Sequence, residues 1–437
     1  MAKTTRNALA GTIALGLALV VCLPALGATP KTKRVSVRSN GTEAVGGESY
    51  RPSISGSGRL VAFQSDATNL VPGDENDSSD IFVHDRKTQK TKRVSVRSNG
   101  NEGDGVSSDP AISSNGRWVA FGSDATNLVG GDTNNRSDIF VHDRKTQKTR
   151  RMSVRSNGAQ GDASAQWPSI SANGRWIAFE SSATNLIGGD TNGYGDIFVH
   201  DRKTEKTKRV SLRSNGDEAD EGSREASISA DGRFVAFQSE ATDLVGGDNN
   251  GYDDTFVHDR KTKKTRRVSL RSNGNEGNEV SHHPSISASG RFVAFESRAT
   301  NLVGGDTNGD GDMFVHDRKT RKTKRVSVRS NGDEADFGTD SDPSISASGR
   351  YIAFQCYATN LVGGDTNDQP DVFVHDRKTK RTRRVSVRFN GAQANDSSFE
   401  PSISADGRVV AFDSSATNLV AGDDNGQHDV FVRGPLP

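Results

Sequence analysis

The chain has 437 residues, and its 57 Lys and Arg nearly balance its 56 Asp and Glu, giving a formal net charge of +1. It has two cysteines, and Cys22 lies in an N-terminal stretch that we predict to be removed, so Cys356 is the one left in the mature chain. This composition excludes an internal disulfide framework. Although the net charge is small, the charges are separated along the chain: basic and acidic residues fall in different segments of a repeated unit.

Residues 1–28 have the pattern of a signal peptide. Lys3 and Arg6 precede an apolar run from Ala8 to Leu26, and the small residues Gly27 and Ala28 offer a cleavage site. We therefore predict a periplasmic or secreted bacterial protein with no stable membrane span after cleavage. Retention of the apolar run as an anchor is the alternative.

The rest of the chain, residues 29–437, repeats one motif seven times with a glycine at the same turn of each copy. The spacing is 58 residues, with one insertion between the fifth and sixth copies. The turn glycines are Gly58, Gly116, Gly174, Gly232, Gly290, Gly349 and Gly407. Repeats of about this length, built from short strands, are typical of propeller blades.

Each copy contains four strand-like runs bounded by turn residues; in the fifth copy they span residues 284–287, 291–297, 312–317 and 324–329. The pattern predicts an all-β fold, a seven-bladed β-propeller with four antiparallel strands per blade, forming a single domain. The predicted blades start near residues 52, 110, 168, 226, 284, 343 and 401.

The two ends of the chain predict how the ring closes. The chain begins on a spare fourth-type strand at residues 33–38, and it stops after the third-type strand of the last copy, at residues 430–432. Pairing of the N-terminal strand with the last blade would remove an exposed sheet edge. We expect the N-terminal strand to complete the last blade.

The hairpins between the third and fourth strands are rich in cations, as in the stretch from Arg260 to Arg267. These cations could block edge pairing and maintain solubility, or they could form a docking surface for an anionic polymer. The lack of interleaved aromatic residues argues against nucleic acid. We expect a monomer whose partner is an envelope or extracellular protein or an anionic glycan.

One loop of the predicted acidic face has oxygen-bearing side chains at alternate positions. Asp306, Asn308, Asp310 and Asp312, with Gly311 at the turn, resemble the start of a calcium loop, and calcium is the one cofactor that the sequence suggests. Asp and Asn also cap turns by bonding their own backbone, so a purely structural role is the alternative.

A histidine recurs in the third strand of six copies, with Arg433 in the seventh. Because each copy belongs to a different blade, these side chains cannot converge on one ion. We predict a hydrogen-bonded packing role for them. They are His84, His142, His200, His258, His316 and His375.

The position just before the first strand of each blade differs between copies, and the fold would place all seven at the mouth of the central channel. These ring residues are Arg51, Asp109, Trp167, Glu225, His283, Asp342 and Glu400. The carboxylates and the histidine could bind a cation, and Trp167 could stack on a sugar or a peptide side chain. Ordinary variation of surface loops is the alternative.

The repeat resembles that of TolB-like β-propellers. The residues that carry the resemblance are Pro-Ser-Ile-Ser-Ala-Asp-Gly-Arg-x-Val-Ala-Phe, followed by Asp-Ile-Phe-Val-His-Asp, although the Trp of that family is replaced here by Ile, as at Ile286 and Ile403. The resemblance implies a periplasmic or secreted binding module.

We therefore expect a non-catalytic binding or interaction scaffold rather than an enzyme, because the copies are nearly identical and no catalytic constellation is evident. The alternative is a calcium-stabilised propeller enzyme, resembling a lyase, lactonase or glycosidase, with its site at the channel mouth. His283, Glu225 and Asp342 are the best candidate cluster for such a site.

Overall fold

The computed structural model describes residues 1–2, 30–339 and 341–436. The predicted signal peptide falls almost entirely on residues 3–29, outside the described residues. Strands β1 to β13 are β1 (Lys31–Arg34), β2 (Ser49–Ile54), β3 (Leu60–Ser65), β4 (Asp80–Asp85), β5 (Lys90–Arg93), β6 (Ser107–Ile112), β7 (Trp118–Ser123), β8 (Asp138–Asp143), β9 (Lys148–Arg151), β10 (Ala165–Ile170), β11 (Trp176–Ser181), β12 (Asp196–Asp201) and β13 (Lys206–Arg209). Strands β14 to β28 are β14 (Ser223–Ile228), β15 (Phe234–Ser239), β16 (Asp254–Asp259), β17 (Lys264–Arg267), β18 (Ser281–Ile286), β19 (Phe292–Ser297), β20 (Asp312–Asp317), β21 (Lys322–Arg325), β22 (Ser344–Ile345), β23 (Tyr351–Cys356), β24 (Asp371–Asp376), β25 (Arg381–Arg384), β26 (Ser398–Ile403), β27 (Val410–Ser414) and β28 (Asp429–Gly434).

The strands form seven separate four-stranded antiparallel sheets, the blades of a propeller. Blades 1 to 6 each contain four consecutive strands, from β2–β5 in blade 1 to β22–β25 in blade 6. Blade 7 has the order β1-β28-β27-β26, with Lys31 opposite Gly434 and Arg34 opposite Phe431. The predicted seven-bladed all-β fold and its closure by the N-terminal strand are confirmed, although the closing strand spans Lys31–Arg34 and not residues 33–38. In the described part of the chain, no helix is long and apolar enough to cross a membrane.

Several strand boundaries of blade 5 differ from the prediction, and two of the differences have a local physical reason. The fourth strand spans Lys322–Arg325 instead of residues 324–329, because beyond Arg325 the Ser327 hydroxyl, and not a backbone group, accepts a hydrogen bond from the Met313 N–H, 3.0 Å away. The first strand starts three residues earlier than predicted, at Ser281, since it pairs with β19 on both sides of an irregularity between His282 and Ser285. That irregularity shapes the candidate site described below.

The core consists of layers between blades. Within blade 5, the rings of Phe295 and Phe314 stack with their centroids 5.9 Å apart. Met313 and Val315 of the same blade pack against Phe354 of blade 6 in one buried cluster. Because both faces of each sheet are covered in this way, the central strands are apolar along nearly their whole length.

The repeated histidines also serve the packing of blades, as predicted. The imidazole Nδ1 of His316 lies 2.9 Å from the Thr323 hydroxyl, and that hydroxyl donates to the Leu270 carbonyl oxygen of the preceding blade. The same bond to a threonine hydroxyl forms at His84, His142, His200, His258 and His375. These histidines therefore connect the outer strand pair of one blade to the blade before it.

Candidate functional site at the channel mouth

The ring residues occupy a strained backbone position. Six of the seven have left-handed φ angles although none is glycine, for example 50° at Trp167, 52° at His283 and 44° at Glu400. Each of these residues lies at the register shift between the first and second strands of its blade, which is a β-bulge. Left-handed non-glycine residues cost on the order of 1–3 kcal/mol each and concentrate at functional sites. The repeated bulge therefore marks the channel mouth as a candidate site.

Six of the predicted ring residues at the bulges, and Asp342 in the segment before β22, line one cavity. It has a volume of about 980 Å³, and its lining also includes Tyr50, Tyr357, Phe399, Asp413 and His428. Asp342 belongs to blade 6, where the first strand is shortened to Ser344–Ile345 and the insertion of the sixth copy lies. The site therefore combines a sevenfold scaffold with side chains that differ from blade to blade.

His283 lies between two carboxylates from neighbouring blades. Its Nδ1 is 2.7 Å from Glu225 Oε2 and 2.6 Å from Asp342 Oδ1. Across the described residues, Glu225 Oε2 and His283 Nδ1 are buried and have no partner with hydrogen-bond geometry. The three ligand atoms lie within 4.8 Å of one another. Atoms that approach so closely without hydrogen-bond geometry are arranged as ligands around a shared cation would be.

A buried glutamate extends this cluster. Glu296 Oε2 is 3.5 Å from His282 Nε2 and 4.0 Å from His283 Nε2, and the two imidazole rings stack at 4.6 Å. Within the described chain, neither carboxylate oxygen of Glu296 has a hydrogen-bond partner, and the His282 Nε2 lacks one too. A buried carboxylate without a partner is costly. Glu296, His282 Nε2 and His283 Nε2 form a group that could hold a divalent metal ion, and Glu225 and Asp342 face the other nitrogen of His283. These five residues are called here the mouth cluster.

The electrostatics of the cluster favour a positive charge at its centre. Burial alone would lower the pKa of His283, but the negative charge of the Asp342 and Glu225 carboxylates, 2.6 and 2.7 Å from its Nδ1, outweighs it and raises that pKa to about 11. The same surroundings that hold a proton on an imidazole also attract a metal ion, which would compete with that proton.

On the opposite side of the mouth, Arg51 is the cation. Its guanidinium donates to the Asp109 carboxylate, and its Nε is 3.9 Å from Glu400 Oε1. Burial raises the pKa of Glu400, the charge of Asp413 adds to this effect, and the result is a pKa of about 7. Glu400 is therefore a carboxylate that can exchange a proton near neutral pH.

The predicted calcium loop lies elsewhere, on the outer part of blade 5. Its Asp306 and Asp312 face the guanidinium of Arg325, whose NH1 is 3.6 Å from Asp306 Oδ1 and 2.7 Å from Asp312 Oδ2. The Asn308 side chain donates to the Ala335 carbonyl oxygen and accepts from the Asp310 N–H, both at 3.1 Å. An arginine thus provides the positive charge at this position, and calcium binding by the loop stays a prediction.

Sequence reasoning missed Glu296 as a site residue. It lies inside a strand, in a slot that holds Gln64, Gln238 and Gln355 in three other blades and a carboxylate at Glu180 and Asp413, so its pairing with a histidine on the neighbouring strand was the available signal. Glu296 belongs to the site because His282 faces it across the β18–β19 pair. The β-bulge in this pair sets that register.

No family model matches the sequence, and no curated protein matches it. Solved structures do match. An oligogalacturonate lyase from Vibrio parahaemolyticus is 13% identical with a TM-score of 0.53, over 92% of this chain and 93% of that one. An oligogalacturonate lyase solved in complex with manganese is 14% identical with a TM-score of 0.54, over 94% of each chain. TolB from Acinetobacter baumannii is 14% identical with a TM-score of 0.41, over 78% of this chain and 64% of that one.

These matches correct two expectations. The two oligogalacturonate lyases match over nearly the full length and are enzymes, which contradicts the expectations of a non-catalytic scaffold and of a protein that is not an enzyme and favours the alternative of an enzyme at the channel mouth. At such low identity the likeness itself shows the fold alone. By its fold the chain is a seven-bladed β-propeller, the architecture expected from the TolB-like resemblance of its repeat.

Proposed function

We propose that this chain is an enzyme that uses a divalent metal ion in the mouth cluster to cleave an acidic saccharide by lyase chemistry. The observation that carries the proposal is the convergence of buried atoms without hydrogen-bond partners, among the described residues, on one side of the channel mouth. Such atoms are rare in native proteins, and a bound ion is one explanation for them.

The ligand types favour a metal ion such as Mn²⁺ over calcium. Calcium binds oxygen ligands, whereas the group around Glu296 offers two imidazoles together with one carboxylate. Glu225 and Asp342 add negative charge beside this group through their contacts with the other nitrogen of His283. The match to a lyase solved with manganese supports the same assignment.

The remaining mouth residues fit an acidic sugar. When bound, the metal would act as a Lewis acid toward a substrate carboxylate, which makes the adjacent carbon-bound proton more acidic. Arg51 supplies a positive charge for an anionic group, and Trp167 offers a ring face for stacking on a sugar. Glu400, with a pKa of about 7, is our candidate for the group that accepts the proton.

Calorimetric titration of the chain 29–437 with MnCl₂ tests the metal site. We expect one ion per chain, and at least about tenfold weaker binding after Glu296→Gln, since loss of a metal contact costs 10–100-fold in affinity. Glu180→Gln is the matched control: Glu180 has the same place in blade 3 but faces Gln166 at 3.4 Å instead of a histidine. Equal affinity of the two variants, or a stoichiometry near seven, would overturn the mouth site and favour the repeated loops.

The reaction is tested separately by incubating the metal-loaded chain with oligogalacturonates and other acidic oligosaccharides, and following the absorbance of the unsaturated product. We expect turnover that falls at least about 100-fold in Glu400→Gln, the usual contribution of a general base. Turnover without an unsaturated product would indicate hydrolysis and would contradict the lyase assignment.

We also propose that the cation-rich hairpins between the third and fourth strands bind anionic glycan outside the cytoplasm. A cleft of about 1170 Å³ between blades 4 and 5 is lined by Arg266, Arg271, Arg318 and Arg321, among others. A row of such cations suits a polymer with repeated negative charges. The test is the retention of the Arg271→Glu variant on immobilised polygalacturonate over a salt gradient. Elution at the same salt concentration as the unmodified chain would contradict this role.

A further inference from the structure

A second group of reactive side chains lies in blade 7, separate from the mouth cluster. The Ser415 Oγ is 2.5 Å from His428 Nε2, and the His428 Nδ1 is 3.5 Å from Asp413 Oδ2. Asp413 and His428 line the channel-mouth cavity. The three side chains therefore lie in the order Ser, His, Asp, with the half-buried Ser415 in contact with a histidine that lines the cavity.

The surroundings hold the imidazole in this position. The ring of Phe399 stacks on His428 with centroids 5.8 Å apart and planes 9° from parallel. The Asp413 side chain is only 4% exposed. Within the described residues, its Oδ1 has no hydrogen-bond partner, and its other oxygen, Oδ2, faces the His428 Nδ1 at 3.5 Å. A buried carboxylate behind an imidazole fixes the tautomer of the ring and stabilises its protonated form.

The arrangement is specific to blade 7. The slot of His428 is filled in blades 1 to 6 by Ser79, Ser137, Gly195, Asp253, Gly311 and Pro370. Blade 3 is the closest match, with Ser182 in the slot of Ser415 and Glu180 in the slot of Asp413, but it has Gly195 where the imidazole would be. Blade 3 shows that the fold accommodates a serine in this slot without a histidine beside it, so the histidine of blade 7 is not needed for packing.

We propose that Ser415, His428 and Asp413 form a nucleophilic site that hydrolyses an ester of a small, uncharged acyl group. A serine hydroxyl in contact with an imidazole that is itself oriented by a carboxylate is the arrangement that activates serine as a nucleophile. This activity is independent of the mouth cluster and of the metal proposed above.

The chemistry needs water as its only co-reactant. The Ser415 Oγ forms a bond to the ester carbonyl carbon, the carbonyl π electrons move to oxygen, and His428 Nε2 takes the serine proton. When the carbonyl re-forms, the C–O bond to the alcohol breaks, and the leaving alkoxide takes that proton from His428. Water then attacks the acyl-serine in the same way, releasing the carboxylic acid and restoring Ser415.

The charges near the triad define the acyl group. Glu48 and Glu400 line the same cavity as Asp413, so an uncharged acyl group suits the blade 7 side of the mouth. Arg51, whose charge acts on both Glu400 and Asp413, is the cation on this side, and its guanidinium is paired with Asp109. An acetyl ester, such as an O-acetylated sugar, has the required size and neutrality.

The test uses the full chain with p-nitrophenyl acetate as substrate and a fluorophosphonate reagent as covalent probe. We expect ester hydrolysis and labelling of Ser415, identified by mass spectrometry of the digest. Ser415→Ala should abolish labelling at this position and lower kcat/KM by about 100-fold or more, and His428→Gln should have a similar effect, because both remove the general-base step.

Ser182→Ala is the control, since this serine has the same place in blade 3 without a histidine. It should leave the rate unchanged, and a metal chelator should do so too, which separates this site from the proposed metal-dependent lyase. Hydrolysis that persists in Ser415→Ala, labelling elsewhere, or no hydrolysis and no labelling in a chain with a normal circular dichroism spectrum would each overturn the proposal.

Discussion

The guanidinium of Arg34 donates a hydrogen bond to the carboxylate of Asp429, 395 positions further along the chain, at 2.9 Å. The same contact in blade 1 joins Arg93 to Asp80 at 2.7 Å, with both residues in one blade. The two ends of the chain thus reproduce, at the closure, a contact that every other blade makes internally. Loss of this closure would expose β28 as a sheet edge.

Deletion of residues 1–38 therefore should lower the free energy of unfolding by at least about 3 kcal/mol, the usual cost of breaking a buried charge pair. Calorimetric melting of the chains 29–437 and 39–437 measures the difference. A synthetic peptide of residues 31–37 should raise the melting temperature of the shorter chain by adding back the strand, and should leave the longer chain unchanged. Equal melting temperatures of the two chains would show that the closure contributes no stability.

The repeated histidines predict a loss of stability in acid. Burial lowers the pKa of His316 to about 4, below the value of about 6.5 for an unfolded chain. The unfolded state therefore binds more protons between these values, and the stabilisation from a neutral His316 is complete above pH 6.5 and is lost as the pH falls toward 4.

The variant His316→Asn, which keeps an amide beside Thr323, removes one of these titrations. Urea unfolding at several pH values from 4 to 7 should show a pH dependence that is smaller by up to about 1.4 kcal/mol per pH unit than in the unmodified chain. Blade 7, with Arg433 in this slot, shows that the fold accepts a non-titrating residue here. An unchanged pH dependence would mean that His316 does not titrate in this range.

An arginine of one blade stacks on an aromatic ring of the blade before it. The Arg260 guanidinium carbon lies 3.9 Å from the centre of the Trp176 ring, and the guanidinium also donates to the Gly232 carbonyl oxygen. Arg144 makes the same carbonyl contact at Gly116, but blade 1 has Leu60 in the slot of Trp176. The two arginines differ mainly in the ring beneath them.

We therefore expect Arg260→Met to lower the free energy of unfolding by about 0.5–1 kcal/mol more than Arg144→Met, the contribution of a cation–π contact at a partly exposed site. Equilibrium unfolding in urea measures both variants. Equal losses would show that the carbonyl contact, and not the ring, accounts for the stabilisation.

Cys356 should be inert in the folded protein. It is buried in the slot that other blades fill with serine, and burial raises the pKa of its thiol to about 12. Because the thiolate is the reactive form, a thiol reagent should modify it only after denaturation. Cys356→Ser should abolish that signal, and rapid modification of the native chain would contradict the burial of this residue.

The architecture could be predicted because it depends on features that repeat locally. The 58-residue spacing, the turn glycines such as Gly290 and the apolar third strands recur in each copy, and adjacent copies pack in the same way. The ring residues could be located too, since each precedes a first strand. The calcium-like loop at Asp306 shows the limit: its partner Arg325 lies 19 positions away on β21, and only the folded blade places that cation among the acidic side chains.

The number of blades, the closure of the ring and the seven positions around its mouth can be derived from the sequence, because they follow from periodicity and from the count of strands. Which unlike side chains meet at the mouth depends on the folded structure. Glu225, His283 and Asp342 come from three blades, and the contact of Ser415 with His428 joins two separate loops of one blade. These contacts depend on strand register, on the left-handed bulges and on ring closure, which are set by packing between distant segments and not by any local pattern.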